Sequence, residues 1–326
     1  MHRRIIVTIF ILAAAKYASA QSADSLKKTN QTFQADSLLY SLSFFELIDS
    51  LVQMPNAFEL GSTLVARLGF NSNIVAASRT LGFSQFGLSP GISYYHKTGL
   101  YLDATAYWSQ EYSPNLYLTI PSLGYIKTLK KWTFNFEYSR YIYSFSDSTY
   151  NSPYTNSTGL SNFFEVKPFL FRLDYSLYFG EKSVHRIMPG IMLNLEKRNW
   201  HGIKRILVYP TFNVLLGNET WQISQYVPNF KSLLEFIYLT RHNLPRYHLQ
   251  TDNYNKFGVL NYSVSLPVSI AYKNWNFLLS YTYNFQQVLP DEPIDVTNSG
   301  YLSFSIVRYF NFKSNSILTD LLKMPK

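Results

Sequence analysis

The chain contains no cysteine. A disulfide framework, a thiolate metal site and a lipid-modified N-terminal cysteine are therefore excluded. Charged residues are also scarce, at 15% of the 326 residues, against roughly 25% in an ordinary globular protein. The polar surface must therefore be built mainly from serine, asparagine, threonine and tyrosine.

Long apolar runs are absent beyond residue 20. No uninterrupted stretch there reaches the roughly 20 residues of a membrane helix, and mean hydropathy is −0.09. Aromatic residues are nevertheless abundant, with 27 tyrosines and 25 phenylalanines. For a membrane protein, this composition favours a β-barrel over a helix bundle. The net charge of +9 comes without a lysine or arginine cluster, so nucleic acid is not expected as a partner.

Residues 1–20 have the pattern of a cleaved export signal. A basic start at His2-Arg3-Arg4 precedes an apolar stretch over 5–15 and a small-x-small site at Ala18-Ser19-Ala20. The alternative, an N-terminal anchor helix, would need a longer apolar core.

Residues 21–56 are predicted to form a periplasmic spacer and one amphipathic helix over 35–53. Apolar residues recur there every three or four positions, which is the helical period. These residues are Leu38, Leu42, Phe45, Ile48 and Val52. The helix is expected to lie against the periplasmic end of a barrel or plug it, or else to dock a separate periplasmic protein.

From residue 60 the hydrophobic period becomes two. In the stretch 275–285, the odd positions are all apolar or aromatic: Trp275, Phe277, Leu279, Tyr281, Tyr283 and Phe285. The even positions are mostly asparagine, serine and threonine. Because strand side chains alternate between faces, one face suits lipid and the other a weakly polar lumen. The same alternation occurs over 85–95, 100–108, 132–138, 169–179 and 260–272.

Short and long connections alternate between these stretches. Tight turns are predicted at 96–99, 129–131, 180–183, 217–218 and 273–274, and longer loops at 71–84, 111–115, 146–161, 197–202, 227–256 and 289–298. Outer-membrane barrels have short periplasmic turns and longer outer loops. The pattern therefore predicts about twelve strands with both termini in the periplasm. Residues 161–179 could form one long strand or two short ones.

Six prolines fall inside the predicted strands, where they lack a hydrogen-bond donor. They are Pro90, Pro121, Pro168, Pro189, Pro210 and Pro267. Bulges or kinks are expected at these positions.

The aromatic end of the last predicted strand, 301–312, resembles the C-terminal assembly signal of Gram-negative outer-membrane β-barrel proteins. With the export signal and the alternating strands, the resemblance extends over 60–312 and concerns the architecture, not a functional family. It implies an all-β, transmembrane antiparallel barrel at 57–312, located in the outer membrane and surrounded by its lipid. Residues 313–326 are expected to form a periplasmic tail.

Few charged residues face the predicted lumen. They are Arg67, Asp103, Glu137, Arg172, Asp174, Arg186, Glu196 and Arg205. In a narrow barrel such charges are expected to pair across the interior, because an unpaired buried charge is costly. They would either close the lumen or form a selectivity constriction.

Enzymatic chemistry has little support in the sequence. Outer-membrane lipid hydrolases pair a serine with a histidine on an outer-rim strand, and no His-x-Ser-Asn arrangement occurs here. His96 and His185 are predicted at inner turns, and His201, His242 and His248 on outer loops without clustered carboxylates. Neither a metal nor a cofactor is therefore expected.

Three functions remain open at this point. The first is a non-enzymatic channel for a small solute whose identity the sequence does not give. The second is a closed barrel that serves as scaffold or subunit of an envelope assembly. The third, least supported by the residues, is an outer-membrane lipid hydrolase.

Overall fold

The computed structural model describes residues 62–72, 87–110, 112–144, 154–292 and 296–312. The predicted export signal, the helix that carries Leu38 and Phe45, and the tail at 313–326 lie outside these residues. They therefore stay predictions.

The described residues form fifteen strands and one short helix. In chain order they are β1 (Ser62–Asn71), β2 (Gly87–Tyr95), β3 (Leu100–Trp108), β4 (Leu116–Leu129), β5 (Trp132–Arg140), β6 (Ile142–Tyr143), β7 (Tyr154–Val166), β8 (Phe169–Gly180), β9 (Ser183–Leu193), β10 (Leu195–Trp200), β11 (Ile203–Val208), β12 (Thr211–Pro228), α1 (Leu233–Arg241), β13 (Tyr247–Tyr272), β14 (Trp275–Gln286) and β15 (Ser299–Phe312). No helix in the described ranges is both long and apolar enough to cross a membrane.

Twelve of these strands close into an antiparallel barrel. The ring runs from β1 through β2, β3, β4, β5, β7, β8, β9, β12, β13, β14 and β15, and β15 pairs back onto β1. Outside the ring, β6 pairs with β4, and β10 forms a hairpin with β11, which pairs with β13. The predicted barrel of about twelve strands is confirmed.

The two faces of the wall differ as the alternation predicts. In β8, Phe171 and Leu173 are exposed on the outer face, whereas Arg172 and Asp174 are buried on the inner face. Other strands repeat this arrangement, so large apolar side chains surround the barrel. An outward apolar surface with a polar interior is the design of a transmembrane β-barrel.

Several predicted connections are placed wrongly. We call the end where β1 begins and β15 ends the terminal end, and the other the loop end. Residues 161–179 belong to two strands, β7 and β8, which meet at a turn containing Pro168. The 180–183 turn consequently lies at the loop end, and residues 197–202 lie at the terminal end in the β10–β11 hairpin. Both differences follow from the turn at Pro168, which adds one crossing of the wall. Pro168 has no N–H to donate to a neighbouring strand, and β7 ends before it.

The predicted turn at 217–218 is also wrong, because both residues lie inside β12. Gly217 indicated a turn, but its role is packing: a Cβ there would lie 2.7 Å from the Arg186 side chain. Of the two alternatives for 161–179, two strands are found, which adds one strand to the count that the predicted turns imply. The turn wrongly predicted at 217–218 had divided β12 in two, so the total of about twelve still agrees.

The predicted loop 227–256 is largely strand. β12 and β13 stay paired up to Pro228 and Tyr247, and they have 18 and 26 residues, whereas crossing a bilayer takes about 9–11. Their pairing to β9 and β14 ends at Gly217 and Asn261. We call residues 218–257, which extend beyond the barrel wall and include α1, the arm.

Bulges or kinks were predicted at the prolines, and no register shift in the described strands lies at one of them. The register shifts lie between Tyr107 and Trp108, between Tyr154 and Asn156, and between Leu215 and Leu216. At the shift between Leu215 and Leu216, Leu260 is the extra residue between Val259 and Asn261. It is buried, although the alternation over 260–272 predicted it on the outer face. Pro168 and Pro210 lie between strands, and the other four prolines are accommodated within them.

Candidate functional site

Most of the predicted lumen charges lie inside the barrel. Arg67, Asp103, Arg172, Asp174 and Arg186 are largely or fully buried on the inner faces of β1, β3, β8 and β9, and Glu137 is half-buried on β5. Glu196 and Arg205 lie instead in the β10–β11 hairpin. Whether any of the eight lines a constriction stays a prediction.

Arg67 is the centre of one polar network. Its guanidinium donates to both carboxylate oxygens of Asp103, at 2.6 and 2.8 Å, and to Ser93 Oγ at 2.6 Å. Thr105 completes the network by donating to Asp103 Oδ2 at 2.9 Å. A Cβ on Gly91 would lie 2.7 Å from Arg67 Nε, so only glycine leaves room for this bidentate geometry.

Two further ion pairs occupy other parts of the interior. Arg172 Nε donates to Asp174 two residues later on the same strand face, and its guanidinium lies 5.6 Å from the centre of the Phe163 ring. Arg186 Nη2 donates to Glu219 Oε1 at 2.7 Å. Glu219 was not predicted to face inward, because a turn was expected at 217–218. The continuous strand β12 is what brings it to Arg186.

Glu137 differs from the other carboxylates of the interior. Tyr101 donates to its Oε2 at 2.6 Å and Ser139 to its Oε1 at 2.8 Å. Both donors are neutral, and none of the ion pairs in the described part of the chain includes Glu137.

A cavity of about 40 Å³ lies next to Glu137. Its lining includes Asp103, Glu137, the amide of Asn135 and the hydroxyls of Ser139 and Ser157. Carboxylate, amide and hydroxyl oxygens therefore share the wall with apolar atoms, among them those of Tyr107, Ile120 and Tyr141.

Tyrosines fill much of the remaining interior. The buried tyrosines include Tyr95, Tyr101, Tyr107, Tyr117, Tyr178, Tyr209, Tyr301 and Tyr309. The sequence placed Tyr101 and Tyr107 on the polar face of their strand but gave them no role. Their filling role could have been recognised from the alternation itself. Tyr101 and Tyr107 occupy positions of β3 that face the lumen, where small or charged residues are expected, and a tyrosine there is large enough to fill space.

The β10–β11 hairpin carries its own charge cluster, outside the ring of twelve strands. Glu196 Oε1 accepts from Arg198 Nε at 2.6 Å and lies 2.7 Å from Arg205 Nε. Partial burial of the Glu196 carboxyl acts to raise its pKa, but the hydrogen bonds and charges of Arg198 and Arg205 outweigh that effect and lower the pKa.

The histidines are dispersed. His96 contacts Thr98 in the β2–β3 turn, and His185 contacts Tyr175 with 2.9 Å between Nδ1 and the hydroxyl oxygen. His185 lies at the loop end and His201 at the terminal end, each opposite to the predicted location. In the described ranges no group of three or more histidine, aspartate or glutamate residues could hold a metal ion.

The arm presents apolar side chains to solvent. Its most exposed large side chains are Tyr226, Leu233, Leu234, Tyr238, Tyr247, Leu249 and Phe257. The helix α1 has no buried residue and is capped by Ser232, whose hydroxyl accepts from the Glu235 amide.

Comparisons with known proteins give likeness in fold only. No protein family matches the chain, and no curated protein matches it. Among solved structures, a KdgM porin is 10% identical over 76% of this chain and 99% of its own, with a TM-score of 0.40. The translocator domain of autotransporter NalP from Neisseria meningitidis is 12% identical over 85% and 100%, with a TM-score of 0.35. LpxR from Salmonella typhimurium is 11% identical over 76% and 100%, with a TM-score of 0.31. Similarities this distant say nothing about what the chain binds; its architecture is that of an outer-membrane β-barrel.

Proposed function

We propose that the protein is a non-enzymatic outer-membrane scaffold whose barrel is closed to ion flow and holds the arm clear of the membrane. The observation that carries this proposal is the burial of the interior charges. The side chains of Arg67 and Asp103 are 8% and 3% exposed, and those of Arg172 and Asp174 are both 4% exposed. A selectivity constriction works through charges that passing ions can reach.

The arrangement of these charges supports the same conclusion. Each arginine is matched by a carboxylate within the barrel, and buried tyrosines occupy the space between them. Pairing offsets part of the cost of removing charge from water. A permeating ion would have to compete with an existing partner at each of these paired charges.

The arm supports the scaffold role independently. It extends two paired strands beyond the wall and ends in a helix whose apolar residues touch no core. Exposed apolar surface of this kind marks sites of protein or membrane contact. We infer that the barrel anchors the arm for contact with another envelope component.

Planar-bilayer recording separates the scaffold from a channel. The chain starting at residue 21, refolded into a bilayer, is expected to show no steady conductance, and the same holds for a variant lacking 21–56. Steady conductance of the longer chain would support a solute channel. Conductance only after removal of 21–56 would make that segment a plug. Either result would contradict the closed barrel.

A matched variant shows that the assay reports on the interior. Truncating the buried Tyr95 and Tyr101 to alanine removes two large side chains from one inner cluster. The folded double variant is expected to conduct. A control with Phe171 and Tyr175 truncated on the outer face is expected to stay silent.

The orientation in the membrane can be read by labelling, since the chain has no cysteine. If both termini are periplasmic, the arm lies outside the cell. A membrane-impermeant maleimide should then label Leu234→Cys in intact cells. The control His201→Cys, at the terminal end, should be labelled only after the outer membrane is permeabilised, and the reverse pattern would invert the proposed orientation.

A further inference from the structure

Glu137 is the one interior carboxylate, within the described ranges, whose charge has no cationic partner. Its two hydrogen bonds come from Tyr101 and Ser139, which are neutral. Asp103, the nearby carboxylate across the cavity, is already balanced by Arg67. A carboxylate held inside a barrel without a compensating charge is costly, so the site needs one positive charge whenever Glu137 is ionised.

The sequence also keeps space open beside Glu137. The residues that pair with it on the two neighbouring strands are both glycine, Gly124 on β4 and Gly159 on β7. The space over Gly124 is taken by the Tyr101 ring, because a Cβ there would lie 2.3 Å from it. A Cβ on Gly159 would meet nothing closer than Ser176 Oγ at 3.5 Å.

The cavity bounded by these residues has a volume of about 40 Å³. A buried water needs roughly 10–15 Å³ of such space. The cavity is therefore large enough for a small ion with one or two waters, and too small for an organic solute.

A second observation concerns Asn135, which lies two residues before Glu137 on the same face of β5. Its side-chain oxygen Oδ1 is buried and has no hydrogen-bond partner among the residues that the structure describes, and Asn135 lines the cavity. Buried polar atoms are nearly always paired, so an unpaired acceptor facing a cavity calls for a ligand. An amide oxygen beside a carboxylate and several hydroxyls is a donor set that hard cations prefer.

We propose that this cavity binds one monovalent hard cation, such as Na⁺, with the Glu137 carboxylate and the Asn135 amide oxygen among its ligands. The valence follows from the local charges. Because Arg67 balances Asp103, only the charge of Glu137 remains to be neutralised. A divalent ion would leave an excess positive charge in a medium of low dielectric.

The test is equilibrium dialysis of the full chain, refolded in detergent micelles at pH 8, against ²²Na⁺ in a choline chloride buffer. Wild type is expected to bind ²²Na⁺ in a one-to-one ratio, displaced by unlabelled Na⁺. Glu137→Gln, which keeps the shape and removes the charge, is expected to lose this binding. Gly159→Ala, which adds a methyl group to the cavity, is expected to lose it as well. The control Glu196→Gln alters a carboxylate outside the ring and should bind as wild type does.

The outcomes separate the site from its alternatives. Absence of binding in wild type, or equal binding in wild type and Glu137→Gln, overturns the proposal, since the carboxyl would then be neutral or irrelevant. Binding that is lost in Glu137→Gln but kept in Gly159→Ala places the ion outside the cavity and also overturns it. Folding of each variant is checked by comparing the electrophoretic mobility of heated and unheated samples, which differs for a folded barrel. If Glu137→Gln does not fold, Gly159→Ala decides: loss of ²²Na⁺ binding supports the site, and binding as in wild type overturns it.

Discussion

The interior charges of the barrel depend on one another in pairs. Arg67 and Asp103 share a bidentate contact within a largely buried environment. Removing one member leaves the other buried and uncompensated, which costs far more than replacing both with apolar residues. The order of stability among single and double variants therefore reports whether the pair is buried in the folded protein.

Arg67→Leu is expected to lower the free energy of unfolding by about 3–5 kcal/mol, because it leaves the Asp103 carboxylate unpaired. The double variant Arg67→Leu with Asp103→Leu should recover most of this loss. Urea titration of the refolded barrel measures both. As a control, Arg198→Leu removes an arginine that is 56% exposed and should change stability by less than about 1 kcal/mol. Equal effects of Arg67→Leu and Arg198→Leu would mean that the interior is hydrated.

Residue by residue, sequence could assign a face but not a partner. Alternation correctly placed Asp103, Arg172 and Asp174 inward, since the period of a strand is a local property. It gave no means of knowing that Arg67 reaches Asp103 or that Arg186 reaches Glu219. Those contacts depend on which strands are neighbours and on their register, and both are long-range properties of the closed ring.

At the scale of the elements, the β10–β11 hairpin carries a partly exposed charge cluster whose carboxyl, that of Glu196, makes stability depend on pH. Glu196 has a lowered pKa because the hydrogen bonds and charges of Arg198 and Arg205 outweigh its partial burial. A carboxyl whose pKa is lower in the folded state stabilises the fold fully above the unfolded pKa, about 4.3. That stabilisation is lost as the pH falls through the lower, folded value.

Carbon-13 NMR of the glutamate carboxyls, with Glu196 assigned from Glu196→Gln, is expected to show its titration midpoint below about 4.3. In a variant with Arg198 and Arg205 both changed to alanine, the midpoint should rise. The contribution to stability is expected to stay below about 1 kcal/mol, because the group is partly exposed. A midpoint that does not move in the double variant would contradict the ion-pair geometry.

Turns were harder to predict from the sequence than strands. Glycine and proline both break strands, and the sequence alone does not tell which of them ends one. Pro168 ends β7, whereas Pro267 lies within β13 and Gly217 within β12. The difference comes from packing against neighbours, as at Gly217, where the Arg186 side chain takes the space of a Cβ.

On the scale of the whole molecule, two apolar surfaces face outward and the sequence pattern alone does not distinguish them. Leu173 lies in the middle of β8 and is 50% exposed, while Leu249 lies on the arm and is 56% exposed. The length of β13 indicates that Leu249 stands beyond the membrane, because crossing it takes only about 9–11 residues. The two leucines therefore make a matched pair for locating the bilayer.

Leu173→Arg is expected to make the free energy of folding into lipid vesicles less favourable by about 2–4 kcal/mol, the cost of an arginine near the bilayer midplane. Leu249→Arg, an identical change at a similarly exposed site, should alter it by less than about 0.5 kcal/mol, as at an ordinary water-facing position. Urea titration in vesicles of one lipid composition measures both. A large cost at both sites would mean that the arm lies in lipid and would remove its proposed role as a surface for a partner. A small cost at Leu173 would contradict the membrane-spanning barrel itself, since its outer face would then be facing water.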